Sequence, residues 1–269
     1  MNSIRDLEQF HFRCQQGMYF SEYLEFPKYV AVFSDTVEDS YWNYVAWLSP
    51  DSEQDFVLMW KDIRKLFVQR RRVPSVYISP SSSPFYWSSG PVPASFKKLY
   101  TDSWMLLRDS TFHTKYKYPT YVTVERVDPS IQREEFVRTF LTAYKSDNPE
   151  DAYPNLPDYY ATALRLSFDR TPEGFDVEHY WAKIDGRPVG VASVLIKDET
   201  AGVYGAGTVR EHRKRGVGTS LTVHIIRSCL SRGVRTLLLQ TEHGSRAEDW
   251  YKDMGFETVS LGRCYTETK

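Results

Sequence analysis

Apolar positions along this chain follow two rhythms, and where one gives way to the other marks its elements. From Ser52 to Arg72 the residues Phe56, Met59, Trp60, Ile63, Leu66 and Phe67 recur at three- and four-residue steps, the spacing that gathers one face of a helix. Asp51 and Glu53 stand at its start and Arg70, Arg71 and Arg72 at its end, as the helix dipole favours. Around it lie short strand-like runs, Tyr29 to Phe33, Tyr41 to Leu48 and Ser75 to Ser79. Pro, Ser and Gly then crowd together from Ser79 to Pro93, which predicts a loop.

A second series opens near Tyr121. Tyr121 to Val127 reads as a strand, and Asp128-Pro129-Ser130 is a start signal for a helix from Ile131 to Lys145. An acidic loop with proline, Asp147 to Pro157, separates it from a helix over about Asp158 to Ser167. His179 to Ile184 and Pro188 to Ile196 flank Asp185-Gly186, a pair that supplies the positive backbone angles of a two-residue hairpin turn, and Asp198 with Glu199 caps the next one. Strand Gly202 to Val209, helix Val217 to Arg232, strand Thr236 to Gln240, helix Arg246 to Met254 and strand Glu257 to Leu261 complete the chain. This alternation predicts an α/β (α+β) protein, a mixed central sheet flanked by helices.

Composition narrows the function classes. With 41% hydrophobic and 26% charged residues the 269-residue chain can fill real cores, and 34 Lys and Arg against 35 Asp and Glu leave no broad basic surface for nucleic acid. Cys14, Cys229 and Cys264 have no paired spacing, which suits neither a disulfide scaffold nor a zinc site; no metal is expected, and a reducing, cytoplasmic setting is. No apolar run approaches the ~20 residues of a membrane span, so no membrane partner is expected.

The chemistry concentrates in Thr208-Val209-Arg210-Glu211-His212-Arg213-Lys214-Arg215-Gly216-Val217-Gly218-Thr219, which ends a strand and opens a helix. Gly205-Ala206-Gly207 begins like a dinucleotide fingerprint, but Arg210 takes the third glycine's place, and no Gly-Lys-Ser/Thr phosphate loop occurs. An anion cradle fits better: Gly216 and Gly218 allow a tight turn that brings amide protons to a diphosphate at the positive end of a helix, with Arg213, Lys214 and Arg215 adding charge. Between Arg210 and Arg235 seven Arg or Lys face one acid, Glu211. By itself such a run is equally a solvated basic turn.

The order Arg213-x-x-Gly216-x-Gly218, helix, strand, then Ala247-x-x-x-Tyr251-x-x-x-Gly255-Phe256 resembles the acyl-CoA-binding core of the GNAT superfamily of N-acetyltransferases, over roughly Tyr121 to Leu261. The resemblance implies a domain over 119–269 that binds acetyl-CoA as co-substrate. Gly207, Thr208 and Val209 would receive the pantetheine arm, and Arg213, Lys214, Arg215, Gly216, Val217, Gly218 and Thr219 the diphosphate. Tyr251 matches the tyrosine beside the thioester sulfur, where a phenol can protonate a departing thiolate. Where the family often carries Asn, seven residues earlier, this chain has Gly244, which removes one usual contact.

An amine acceptor must lose its proton to attack, and Glu242 and His243, after strand Thr236 to Gln240, are the nearest titratable pair; Glu242 is the candidate base. The acidic loop holding Asp147, Glu150, Asp151 and Asp158 would favour a cationic amine, small molecule or peptide. Residues 1–118 repeat the element order weakly at an offset of 161, which sets Tyr100-Thr101-Asp102 beside Tyr251-Lys252-Asp253. Asp55 and Val57 then stand at the positions of Gly216 and Gly218, so this half reads as a degenerate GNAT-like copy that binds no CoA. The expected activity is acetyl transfer from acetyl-CoA to a primary amine by a monomer or homodimer. A longer acyl chain, transfer from aminoacyl-tRNA, or a CoA sensor without turnover are the alternatives.

Overall fold

The computed structural model describes residues 3–82, 95–108, 112, 118–145 and 155–268. Most of the Ser79 to Pro93 loop, and residues 147–154 of the acidic loop, lie outside them. The chain divides into two compact units, Met1–Ser103 with Ser260–Lys269, and Trp104–Val259. The sequence places its boundary at 118/119; the units divide inside strands, between Ser103 and Trp104 and between Val259 and Ser260.

The first unit opens with α1 (Ile4–Gln15), whose N-terminus is closed by a reciprocal box between Ser3 and Asp6. The apolar rhythm does not reveal α1, because its buried face carries Glu8, His11 and Gln15 among Leu7, Phe12 and Cys14. Strands β1 (Glu22–Phe26), β2 (Tyr29–Phe33) and β3 (Tyr44–Ala46) pair antiparallel in turn. Helix α2 (Glu53–Gln69) then returns the chain to β4 (Ser75–Ile78), parallel to β3. The predicted face of α2, Phe56, Met59, Trp60, Ile63 and Phe67, is buried in one core with Phe33, Val45 and Val76. Strand β5 (Phe96–Arg108) crosses the unit boundary; Ser103 to Leu107 are buried without alternation, so no period-two signal announces it.

In the second unit β6 (Val122–Arg126), β7 (Asp176–Ile184), β8 (Arg187–Lys197) and β9 (Thr200–Thr208) form an antiparallel meander. The turn between β7 and β8 is the predicted Asp185-Gly186, both at positive φ (48° and 75°). Helices α3 (Arg133–Ala143) and α4 (Tyr159–Ser167) precede the meander's second strand, and α5 (Val217–Ser231), β10 (Thr236–Glu242) and α6 (Arg246–Asp253) follow its last. The final strand, β11 (Glu257–Glu267), runs past the predicted Leu261; its end, Arg263 to Thr266, pairs antiparallel with β4 in the first unit.

One feature of this sheet sets up a site. β9 and β10 run parallel but pair only through Thr200–Gly202 and Thr236–Leu238, and the ladder between them then stops although both strands continue. On its other side β9 carries a bulge against β8: Val191 pairs Gly207 and Ser193 pairs Tyr204, with Gly205 at φ 60° taking up the extra residue. The bulged end of β9 is thus free of β10 where it meets the basic loop. The proposed repeat does not extend to its last element, since Tyr100 to Asp102 lie on strand β5 whereas Tyr251 to Asp253 end helix α6. A phenol on a strand and one on a helix are presented differently, so that pairing is corrected.

Candidate active site

From Thr208 the chain makes a single 3-10 turn, Arg210–His212, and reaches α5 through two left-handed residues, Lys214 (φ 59°) and Gly216 (φ 78°). Gly216 is doubly required: its φ disfavours any side chain, and a Cβ there would lie 2.6 Å from Cδ of Pro119. It is the N-cap of α5, where no side chain caps the helix and the first turn holds no acid. Ser220 N–H bonds the Gly216 carbonyl, but the amides from Lys214 to Thr219 donate to no acceptor among the described residues. Six consecutive open donors at a helix N-terminus are an arrangement whose chemistry suits an anion.

Of these residues all but Arg215 border a cleft of about 770 Å³, lined among others by Thr208, Lys214, Gly216, Gly218, Arg246 and Tyr251. Four cations, Arg210, Arg213, Lys214 and Arg246, line it and no Asp or Glu does, so its potential is positive although the chain is nearly neutral. Among the described residues no group of three or more His, Cys, Asp and Glu is placed to hold a metal ion, and no helix is long and apolar enough to cross a membrane.

Gly207, Thr208, Arg213, Lys214, Gly216, Val217, Gly218, Thr219 and Tyr251 all meet in this cleft. Gly207 lets β9 approach α3: a Cβ there would stand 3.0 Å from Cβ of Ala143 and 3.1 Å from Cε2 of Tyr144. Three predicted residues lie elsewhere. Val209 is bound into the sheet by its amide, 2.9 Å from the Val189 carbonyl, and Arg215 turns to Tyr121 and His212. Glu242 ends β10 and is not among the cleft's lining residues, and its carbonyl receives the Ser245 amide.

Tyr251 sits on α6, 8% exposed, and its hydroxyl has no hydrogen-bond partner among the described residues. Burial pushes its pKa up to about 12, which keeps the phenol protonated and able to donate. The helix is fixed by Glu248, a buried carboxylate that accepts from the Gly244 amide (2.7 Å) and from Thr258 Oγ1 (2.7 Å) and pairs with Lys252. His243 Nδ1 lies 3.3 Å from the same carboxylate, which ties it to this scaffold. Gly244, where the resemblance expects Asn, makes the β10–α6 turn at φ 76°.

The sequence reading missed Tyr144, Trp250 and Arg246 in the lining. Tyr144 Oη donates to the Ala206 carbonyl at 3.0 Å, and burial and then the neighbouring Tyr251 raise its pKa. Nothing in its sequence context separates Tyr144 from the other 18 tyrosines. Arg246 was legible as a cation at the first position of a helix, where the dipole disfavours it.

The sequence pattern of the Acetyltransferase (GNAT) family matches residues 135–256, a span holding the loop, both parting strands and Tyr251. No curated protein matches the chain. Among solved structures, a GCN5-related N-acetyltransferase from Kribbella flavida superposes with a TM-score of 0.71 at 16% identity, covering 100% of this chain and 97% of that one. A GCN5-related N-acetyltransferase from Sphaerobacter thermophilus gives 0.60 at 15%, covering 88% and 79%. A tandem GNAT protein from the clavulanic acid biosynthesis pathway gives 0.61 at 15%, covering 88% and 77%. At these identities the likeness is one of fold, and it extends over both halves of the chain. Fold and family pattern agree: residues 135–256 match a domain of the Acetyltransferase (GNAT) family.

Proposed function

We propose that the protein transfers an acetyl group from acetyl-CoA to a primary amine by direct attack. The observation that carries this reading is the run of unpaired amides from Lys214 to Thr219 at one end of a cationic cleft whose wall also holds the unpartnered Tyr251 hydroxyl. The amides and Lys214 suit a diphosphate, and the parting of β9 from β10 leaves room for an extended arm between the loop and Tyr251. Acetyl-CoA supplies a thioester whose carbonyl carbon accepts an amine lone pair and whose carbon–sulfur bond then breaks.

The chain's own residues hold and finish that exchange. Tyr251, kept neutral by burial, donates its proton to the leaving sulfur and regains one from solvent. The amine reaches the carbonyl without its extra proton, which passes to water; Glu242, outside the cleft lining, would act only through such a water. Incubating the protein with acetyl-CoA and a panel of primary amines tests the reading. Release of free CoA that requires an amine, and that Tyr251→Phe slows, is expected. CoA binding without amine-dependent release would instead favour a sensor.

A further inference from the structure

We propose that Arg213 is a positioning residue that locks the cofactor loop to α3, rather than a ligand of the diphosphate; the inference rests on the CoA reading of the cleft. The guanidinium is committed to the protein at two points, Nε to the Thr208 carbonyl (3.1 Å) and Nη2 to the Ala143 carbonyl (2.9 Å). Thr208 is the last residue of β9 and Ala143 the last of α3, so one planar fork joins the root of the loop to a strand end and a helix end at once.

Both carbonyls gain from it. The last carbonyls of a helix have no intrahelical donor, and a cation there also meets the negative end of the dipole. Two neighbouring contacts secure the same joint: Gly207 packs on Ala143 and Tyr144 so closely that a Cβ would crowd both, at 3.0 and 3.1 Å, and Tyr144 Oη bonds the Ala206 carbonyl at 3.0 Å. With Arg213 so engaged, charge for a diphosphate comes from Lys214 and Arg246, exposed cations that line the cleft and hydrogen-bond no described residue. A loop drawn tight by CoA therefore pulls on α3 through Arg213.

Calorimetric titration with CoA at low and high salt, combined with amide exchange over residues 136–143, separates the two roles. A cation in contact with a phosphate contributes more to the salt dependence of binding than one held away from it by two carbonyls. Arg213→Lys and Arg213→Gln are both expected to weaken CoA binding about 10- to 100-fold, since neither replacement spans the two carbonyls, with salt slopes closer to wild type than that of Lys214→Gln. Lys214→Gln should bind more weakly with a shallower slope. Exchange at the end of α3 should slow when CoA is added to the wild type and not in either Arg213 variant.

Arg213→Lys binding as tightly as wild type overturns the proposal, as does a slope in Arg213→Gln as shallow as that of Lys214→Gln. Melting curves report whether the variants fold; if neither does, the wild-type exchange decides, and α3 amides indifferent to CoA overturn the proposal. Wild-type protein that does not bind CoA at all removes the reading beneath it as well.

Discussion

Two helices of this protein begin in the same way, after a strand and a short turn, and treat their first amides oppositely. At α2, Ser52 caps the helix by accepting the Asp55 amide, Asp55 accepts the Asp51 amide, and Lys28 pairs with both Asp51 and Asp55 at 2.7 Å. At α5, Gly216 caps with no side chain and the amides before and after it stay open. Counted from N-cap to N-cap, Ser52 stands where Gly216 does and Gln54 where Gly218 does, three residues before Asp55 and Val57, which the offset of 161 sets there. The physical contrast is unchanged: the first unit supplies its own anion at this point, and the second supplies none. A strand–turn–helix fold gives the dipole; the residue at the cap decides whether it is used up internally.

The sharpest way to break the comparison is at the reacting end of the cleft. Tyr251→Phe should lower kcat by ~10²- to 10⁴-fold with little change in KM for acetyl-CoA, since a general acid acts on the leaving sulfur and not on the bound diphosphate. Tyr100→Phe, at the position the repeat sets beside Tyr251, should leave steady-state rates untouched. The pH profile adds a second handle. With its pKa pushed up to about 12, Tyr251 remains an acid well past the ~10 of an ordinary tyrosine, so the alkaline fall in kcat of the wild type should be centred near 12. A fall centred near 10 that disappears in Tyr251→Phe would contradict the burial argument.

The next effect is common to both units and marks what the site is not responsible for. Each encloses a neutral imidazole, His11 in the first and His179 in the second, and burial pushes both down to about 3. His179 Nδ1 lies 2.8 Å from Ser193 Oγ, and its ring stacks on Phe168 at 4.0 Å. For a base whose folded pKa is depressed, the unfolded chain takes up the proton first, so stability is full above ~6.5 and is lost as pH falls from there toward 3, by about 1.4 kcal/mol per pH unit per histidine. Urea titrations at successive pH values should show that loss, and replacing either histidine with Gln should flatten it. CoA should not change its slope, because neither imidazole lines the cleft.

Much of the site was legible because its signal is local. Positive φ at Gly216, tight space at Gly207 and a cluster of cations in one loop are all written within twelve residues, and Tyr251 was picked out by Ala247 and Gly255-Phe256 around it. What escaped depends on contacts far apart in sequence. Arg213 reads as charge for a phosphate until Ala143, 70 residues away, is brought to its guanidinium. Tyr144 has no local signature, and α1 conceals its buried face behind Glu8, whose carboxylate accepts from Trp47 Nε1 at 2.7 Å. A polar group buried by such a partner erases the periodicity that would have announced the helix. Glu242 shows the converse: closeness in sequence to a cleft-lining helix does not put it among the lining residues.

Substitutions at the two N-caps then measure the difference itself. Gly216→Ala forces a side chain onto a left-handed backbone against Pro119, which should cost about 1–3 kcal/mol and remove measurable CoA binding.

The smallest change asked for is at α2. Ser52→Ala removes the acceptor of the Asp55 amide and should cost about 1 kcal/mol in denaturant unfolding, and Ser52→Gly only a few tenths, because water can reach the exposed amide and a glycine cap keeps the backbone free to turn. Neither should alter CoA affinity. Nor should Ser52→Gly create a second CoA site, although it gives α2 the same cap residue as α5: Asp51, Glu53 and Asp55 would still hold negative charge against the first turn. A stoichiometry of one CoA per chain in both Ser52→Gly and wild type is therefore expected by calorimetry. Two equivalents in either would mean that the acidic cap does not exclude the anion, and the contrast between the two helix ends would lose its meaning.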